Sequence, residues 1–248
     1  LRGGIFMHDK NGSLIPLAEN RLYKTLVVSP KHLADVEATA VLMTEHFGLD
    51  KEMLVKKFSN KKDEYEVVAR KVESDQAQSI EQKKIPGVFF QEEMLRSYPH
   101  TTLASQLVGF VSKQEDIQEG KYGLERYYEK ELAGDRAATD QSRNTVNFLL
   151  ALGRQIVNPL KNGSDIHTTI DYNIQLKAES VLAGVQKKWQ AASGLAIVLE
   201  PTTGRILALA NTPAFDPNAY SKEKTFNVFL NPALQSIYEP GSVVKPVI

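Results

Sequence analysis

Tyr238-Glu239-Pro240-Gly241-Ser242-Val243-Val244-Lys245-Pro246 is the stretch on which the reading of this chain turns. Pro240-Gly241 is a turn signal that delivers the chain into a helix expected to start near Ser242. Residues three apart on a helix share a face, so a hydroxyl and an amine come within reach of each other. A serine hydroxyl is a poor nucleophile until a base takes its proton. A lysine can be that base when burial or nearby positive charge lowers its pKa. Val243, Val244, Pro246, Val247 and Ile248 provide an apolar setting for such a lysine. The N–H groups and positive dipole end of the helix N-terminus favour a developing oxyanion. Ser242 is therefore the candidate nucleophile and Lys245 its base.

Spacing alone is weak, because Ser-x-x-Lys arises by chance in chains of this size. Ser59/Lys62 and Ser221/Lys224 fit it as well, yet both sit in polar, charged stretches where the lysine stays hydrated. Other chemistries have less support. The 5 histidines (His8, His32, His46, His100, His167) form no metal-ligand spacing and no HExxH. Gly120 and Gly123 lack the flanking pattern of a phosphate-binding loop. Asn11-Gly12-Ser13 and Asn162-Gly163-Ser164 fit a glycosylation acceptor, but turn chemistry explains both. Lys plus Arg equals Asp plus Glu, 30 each, so charge argues for neither nucleic acid nor an anionic membrane. Cysteine is absent, which removes disulfides, thiolate metal sites and a thiol nucleophile together. No apolar run approaches the roughly 20 residues of a membrane span. Both ends of the chain read as cuts, so the expectation is a fragment.

Working backwards, residues 194–200 and 205–210 read as a hairpin closed by Pro201-Thr202-Thr203-Gly204. Asp171 is the expected N-cap of a helix carrying Ile174, Ala178, Val181, Leu182, Val185 and Trp189 on one face, with Trp189 in the core. Residues 166–170 alternate like a strand, and Asn162-Gly163 reads as a turn. Residues 96–158 have weak periodicity and are expected to form an extended, multi-segment connection without an independent core. Further upstream, Asn11-Gly12 marks a turn and residues 22–28 a strand. Ser29-Pro30 reads as the start of a helix with Leu33, Val36, Ala40, Met43 and Phe47 on one face, ended by Gly48. A short helix at 50–58, a solvated turn at 61–64, a strand at 65–72 and a helix at 75–84 follow, with Pro86-Gly87 breaking the chain before a strand at 88–90.

The stretch around Ser242 closely resembles the first active-site motif of class B penicillin-binding proteins, and further matches follow in order. Arg2-Gly3-Gly4-Ile5-Phe6 with Asp9-Lys10-Asn11-Gly12 is similar to the signature that opens their extracytoplasmic part. Gly120-Lys121-Tyr122-Gly123-Leu124-Glu125 resembles their Gly-x-x-Gly-x-Glu segment. Asp171-Tyr172-Asn173-Ile174-Gln175, the stretch from Glu200 to Ala208, and Pro213, Phe215, Asp216 and Pro217 resemble the beginning of their transpeptidase domain. Two departures stand out. Met7-His8 are additional to the expected opening signature, suggesting a small bulge, and Lys10 stands where arginine is usual.

The resemblance implies an α+β chain. An elongated pedestal over residues 1–158 would be followed, over 159–248, by the beginning of a serine transpeptidase, β-lactamase-like domain with an antiparallel sheet. It implies a membrane-anchored peptidoglycan D,D-transpeptidase on the extracytoplasmic face, without its anchor helix here. Ser242 would attack the D-Ala-D-Ala amide of a stem peptide, β-lactams would acylate the same serine, and no cofactor would be needed. Partners would be other membrane proteins of wall synthesis, met through the pedestal. The family's Ser-x-Asn and Lys-Thr-Gly motifs normally lie downstream of the first motif and none follows Lys245 here, so this stretch alone is expected to turn nothing over. The rival readings are a non-catalytic wall-synthesis scaffold, and a β-lactam sensor or serine β-lactamase; the long region before residue 159 argues against a β-lactamase.

Overall fold

The structure is a computed structural model that describes residues 1–114, 117–134, 161–237 and 239. The chain is α+β and forms two compact units, Leu1–Asn20 with Arg96–Ile248, and Arg21–Leu95. Of the defined pairings among the described residues, those of β1 (Ile5–His8) with β2 (Leu14–Val28), β2 with β3 (Glu66–Val72), β5 (Val111–Gln114) with β6 (Ile117–Gly120), and β8 (Gly194–Leu199) with β9 (Ile206–Thr212) are antiparallel. β1 pairs in parallel with β7 (Ile166–Asp171).

In the unit Arg21–Leu95, the second half of β2 pairs with β3, Leu26 opposite Ala69 and Val28 opposite Glu66. Three helices, α1 (Val36–Phe47), α2 (Lys51–Phe58) and α3 (Ser74–Glu81), bury Ala40, Met43, Leu54, Phe58, Ala77 and Ile80 with Leu26 and Val28. The expected helix face is present, but the helix starts later than Ser29-Pro30 implies. Ser29 instead opens a single 3₁₀ turn, Pro30–His32, and its hydroxyl bonds His32 Nδ1 at 2.9 Å. Leu33 is extended, so the chain leaves the helical region before Asp35 restarts it by accepting the Ala38 N–H at 2.9 Å. Gly48 ends α1 in the left-handed region, and Asp50 caps α2.

In the other unit, β1 pairs with the first half of β2 around the turn at residues 9–13, Ile5 opposite Ala18 and Met7 opposite Ile15. Register shifts fall between Ile5 and Phe6 on one side and between Phe6 and His8 on the other, beside the additional Met7-His8. The residues from 96 to 134 form several segments without a core of their own, as expected, but they are packed rather than merely extended. Short pieces, namely the end of β4 (Val88–Ser97), α4 (Ser105–Val108), β5, β6, α5 (Gly123–Tyr127) and α6 (Glu129–Ala133), give little periodicity. They nevertheless put Tyr98, Leu103, Val108, Phe110 and Leu132 into one core with Ile5, Met7, Phe215 and Phe229. Elements of four or five residues are too short to show a period, so their burial is set by distant partners. Residues 135–158 of that stretch lie outside the described residues.

A buried ion cluster joins these pieces. Glu125 is 0% exposed, Arg96 4% and Arg2 9%. Arg2 Nε donates to Glu125 Oε2 at 2.8 Å and Arg96 Nε to Glu125 Oε1 at 2.6 Å. The same guanidinium groups reach the Glu125 carbonyl, Glu129 Oε2 and the Gly3 carbonyl. Tyr98 donates its hydroxyl to Glu125 at 3.3 Å and accepts the Val111 N–H at 2.9 Å. Burial, reinforced by the Glu125 charge, pushes the Tyr98 phenol well above its ordinary value, so it stays neutral. Gly123, at φ +57, lets the backbone pass against the Leu107 carbonyl where a Cβ would collide. Asn162-Gly163 is no turn: the chain there forms no regular element, and Gly163 lies so close to the Leu132 carbonyl that no side chain would fit.

Magnitudes separate this cluster from the surface pairs. Glu125→Gln is expected to cost about 3–5 kcal/mol, because the buried Arg96 guanidinium loses its carboxylate and Arg2 is left with Glu129 alone. Lys51→Ala removes the exposed 3.0 Å pair with Glu37 and should cost under about 1 kcal/mol. Urea denaturation of both variants is the check, and equal losses would contradict this ranking.

Candidate active site

Ser242 and Lys245 lie outside the described residues, as do the Pro240-Gly241 turn and the helix expected after it. What the structure describes is the scaffold that leads to them. Of the look-alike pairs, Ser59, Lys62, Ser221 and Lys224 are all exposed. Among the described residues, no three His, Asp or Glu side chains gather as metal ligands would.

The scaffold begins with α7 (Tyr172–Trp189), whose N-cap Asp171 accepts the Asn173 and Ile174 N–H groups at 2.9 and 3.0 Å. The β8–β9 hairpin has the expected turn, with Gly204 at φ +74 and the Glu200 N–H donating to the Arg205 carbonyl at 2.9 Å. α7 does not bury the face that its apolar spacing suggests. Trp189 is 71% exposed, and Val181 and Val185, also exposed, line with Leu182 and with Ala196 and Val198 of β8 an open apolar groove of about 520 Å³.

The buried contact of α7 is polar. Gln175 is 0% exposed, and its amide reads both backbone groups of Leu209: Oε1 accepts the N–H at 2.8 Å and Nε2 donates to the carbonyl at 3.1 Å. Nε2 also donates to Glu179 Oε1 at 2.7 Å, and that oxygen accepts the Ala104 N–H at 2.7 Å. One helix turn thus ties β9 to the loop before α4. Nothing in the local pattern marks Gln175 as buried. Burial pushes the Glu179 carboxyl above its ordinary 4.5, opposed by those two hydrogen bonds.

Beyond β9 the chain crosses a cis Thr212-Pro213 bond and continues through two 3₁₀ segments, Pro217–Lys222, kinked at Ala219, and Phe226–Phe229. Residues between 98 and 122 hold it. Gln106 Nε2 donates to the Pro213 carbonyl at 2.7 Å and the Val228 carbonyl at 3.2 Å. Asn218 pairs with the Tyr98 backbone in both directions, at 2.8 and 3.1 Å. The Phe110 ring stacks on Tyr220 at 4.1 Å and meets the edge of Phe229 at 4.8 Å, while Phe215 and Phe229 meet at 4.9 Å. Such ring pairs contribute about 0.5–1.5 kcal/mol each beyond their buried area. Asn231 then caps the last described turn, accepting the Ala233 N–H at 3.1 Å.

Residues 1–168 match the penicillin-binding protein dimerisation domain, and residues 194–248 match the penicillin-binding protein transpeptidase domain. The chain belongs to the class B penicillin-binding proteins. It is 30% identical to the probable peptidoglycan D,D-transpeptidase PenA of Neisseria meningitidis, over 97% of this chain and 41% of that protein. It is 26% identical to the peptidoglycan D,D-transpeptidase MrdA of Escherichia coli K12, over 98% and 42%. It is also 26% identical to the stage V sporulation protein D of Bacillus subtilis, over 96% and 36%. The chain therefore spans about two-fifths of the length of these relatives. No helix among the described residues is long and apolar enough to cross a membrane.

For this class B penicillin-binding protein, Glu179 gives a pH test. Between 4.5 and the raised native value, the folded chain holds more protons than the unfolded chain. Stability contributed by this group therefore falls as pH rises through that window. Glu179→Gln keeps an acceptor for both hydrogen bonds and carries no charge. Thermal melts should find the variant at least as stable as the parent at pH 7, with the advantage shrinking towards pH 4.5. A variant less stable than the parent at pH 7 would contradict the assignment.

Proposed function

We propose that the full-length protein is a serine D,D-transpeptidase of peptidoglycan synthesis, with Ser242 as nucleophile and Lys245 as its base. The reading rests on the order of the matches. A dimerisation domain is followed by a transpeptidase match over 194–248, the stretch that contains Ser242-Val243-Val244-Lys245.

In this reading Lys245 takes the Ser242 proton as Oγ bonds to the carbonyl carbon of the D-Ala-D-Ala amide. The C–N bond then breaks, the proton passes to the departing D-alanine amine, and an acyl-enzyme ester remains. An amine of a neighbouring stem peptide attacks that ester, forms the cross-link and restores the serine. A β-lactam is opened by the same attack and leaves the serine acylated. Every bond change is an acyl transfer between oxygen and nitrogen, so the residues themselves supply the chemistry.

We further propose the division into a pedestal over 1–158 and the beginning of the transpeptidase domain over 159–248, a boundary outside the described residues. The pedestal would meet other membrane proteins of wall synthesis on the extracytoplasmic face of the cell membrane.

Labelling of the full-length protein with a fluorescent penicillin tests the nucleophile. The parent should label, Ser242→Ala should not, and Lys245→Ala should label more slowly by roughly 10²–10⁴-fold, the usual worth of a general base. Equal labelling of the parent and Ser242→Ala would remove Ser242 from the mechanism.

A further inference from the structure

We infer that Gln106 and Phe110 are positioning residues for Ser242: they fix the segment between Pro213 and Asn231, and so set the rate at which the serine is acylated. This rests on the acyl-enzyme reading above and adds a requirement on residues that never touch substrate.

The segment cannot fix itself. Between the end of β9 and the turn Pro232–Gln235 it contains no strand, and its regular structure is a 3₁₀ segment kinked at Ala219, Pro217–Lys222, and one 3₁₀ turn, Phe226–Phe229. Short turns of this kind carry few hydrogen bonds of poorer geometry than an α-helix. Its placement comes from outside. One side-chain amide, Gln106 Nε2, donates to carbonyls near both ends of the segment, Pro213 at 2.7 Å and Val228 at 3.2 Å. Holding both ends from one atom closes the segment into a loop and removes most of its freedom. Ser105 supports this arrangement: its hydroxyl donates to Gln106 Oε1 at 3.1 Å and accepts the Phe215 N–H at 3.3 Å.

Phe110 sets the middle of the loop. Its ring lies nearly parallel to Tyr220, at 13° and 4.1 Å, and presents a face or edge to Phe215 and Phe229. Gln106 and Phe110 are 5% and 4% exposed, so neither is available to a substrate. Both act at the root of the chain that runs from Asn231 to Ser242. A displacement of about 1 Å at a reacting atom can cost on the order of 10²-fold in rate. Release of this root should therefore reach the serine even though β8, β9 and α7 remain in place.

The test uses the full-length protein and its Gln106→Met and Phe110→Leu variants. Met keeps the side-chain length without the amide, and Leu keeps an apolar group without the stacked ring. Each is acylated over a range of fluorescent penicillin concentrations, which separates the dissociation constant from the first-order acylation rate. The final labelled amount counts active molecules, so loss of folded protein lowers the amplitude and leaves the rate unchanged. The expected result, in either variant, is an acylation rate about tenfold below the parent, with the dissociation constant held within about twofold. Rates within twofold of the parent in both variants would overturn the inference, whether or not the amplitude falls. A rise in dissociation constant at unchanged rate would overturn it as well. A parallel Ser242→Ala arm separates this from failure of the functional reading: if that variant labels like the parent, it is the nucleophile assignment that fails.

Discussion

The buried carboxylate of Glu125 is the constraint around which the larger unit is built. It lies between two guanidinium groups that come from far apart in the chain, Arg2 before β1 and Arg96 near the end of β4. A carboxylate without solvent is tolerated only when its oxygens are paired and bonded, and here both oxygens are engaged. The surrounding sequence serves that arrangement. Gly123 admits the backbone bend that starts α5, and Gly3 offers its carbonyl to Arg96 Nη1 at 2.8 Å. Arg2-Gly3-Gly4 and Gly120-x-x-Gly123-x-Glu125 are therefore two halves of one buried contact, although they read as separate motifs in the sequence.

From this cluster the chain of contacts runs to the segment after β9. Tyr98 bonds Glu125 through its hydroxyl and Asn218 through its backbone, so one residue touches both the ion cluster and the segment after β9. Phe110 and Gln106 follow within the same stretch and hold that segment by rings and by an amide. The dimerisation-domain match and the transpeptidase match thus share a core, in which Ile5, Met7 and Phe110 pack with Phe215 and Phe229.

Local structure was largely legible from sequence where an element was long or a turn chemically specific. The 201–204 turn, Asp171 as a cap, Gly48 as a stop and the paired helices α1 and α2 all follow from short-range chemistry. Long-range partners were not legible. Apolar spacing on α7 identifies which residues share a face, but it carries no information about what covers that face, and Trp189 stands in the open. Gln175 is missed for the converse reason: a polar side chain on a helix reads as solvated unless its backbone partners, here both groups of Leu209, are known. The stretch from 96 to 134 looks featureless because its elements span too few repeats of a helical or strand period to reveal burial. Ser242 and Lys245 are candidates on spacing, setting and resemblance alone, and they lie outside the described residues.

The most direct measurement of the account is peptide mapping of the full-length protein after reaction with a penicillin. Digestion and fragmentation by mass spectrometry locate the covalent adduct on a single residue. If Ser242 is the nucleophile, the adduct mass falls on Ser242. An adduct on another serine, or one spread over exposed hydroxyls such as those of Ser221 and Ser236, would contradict it.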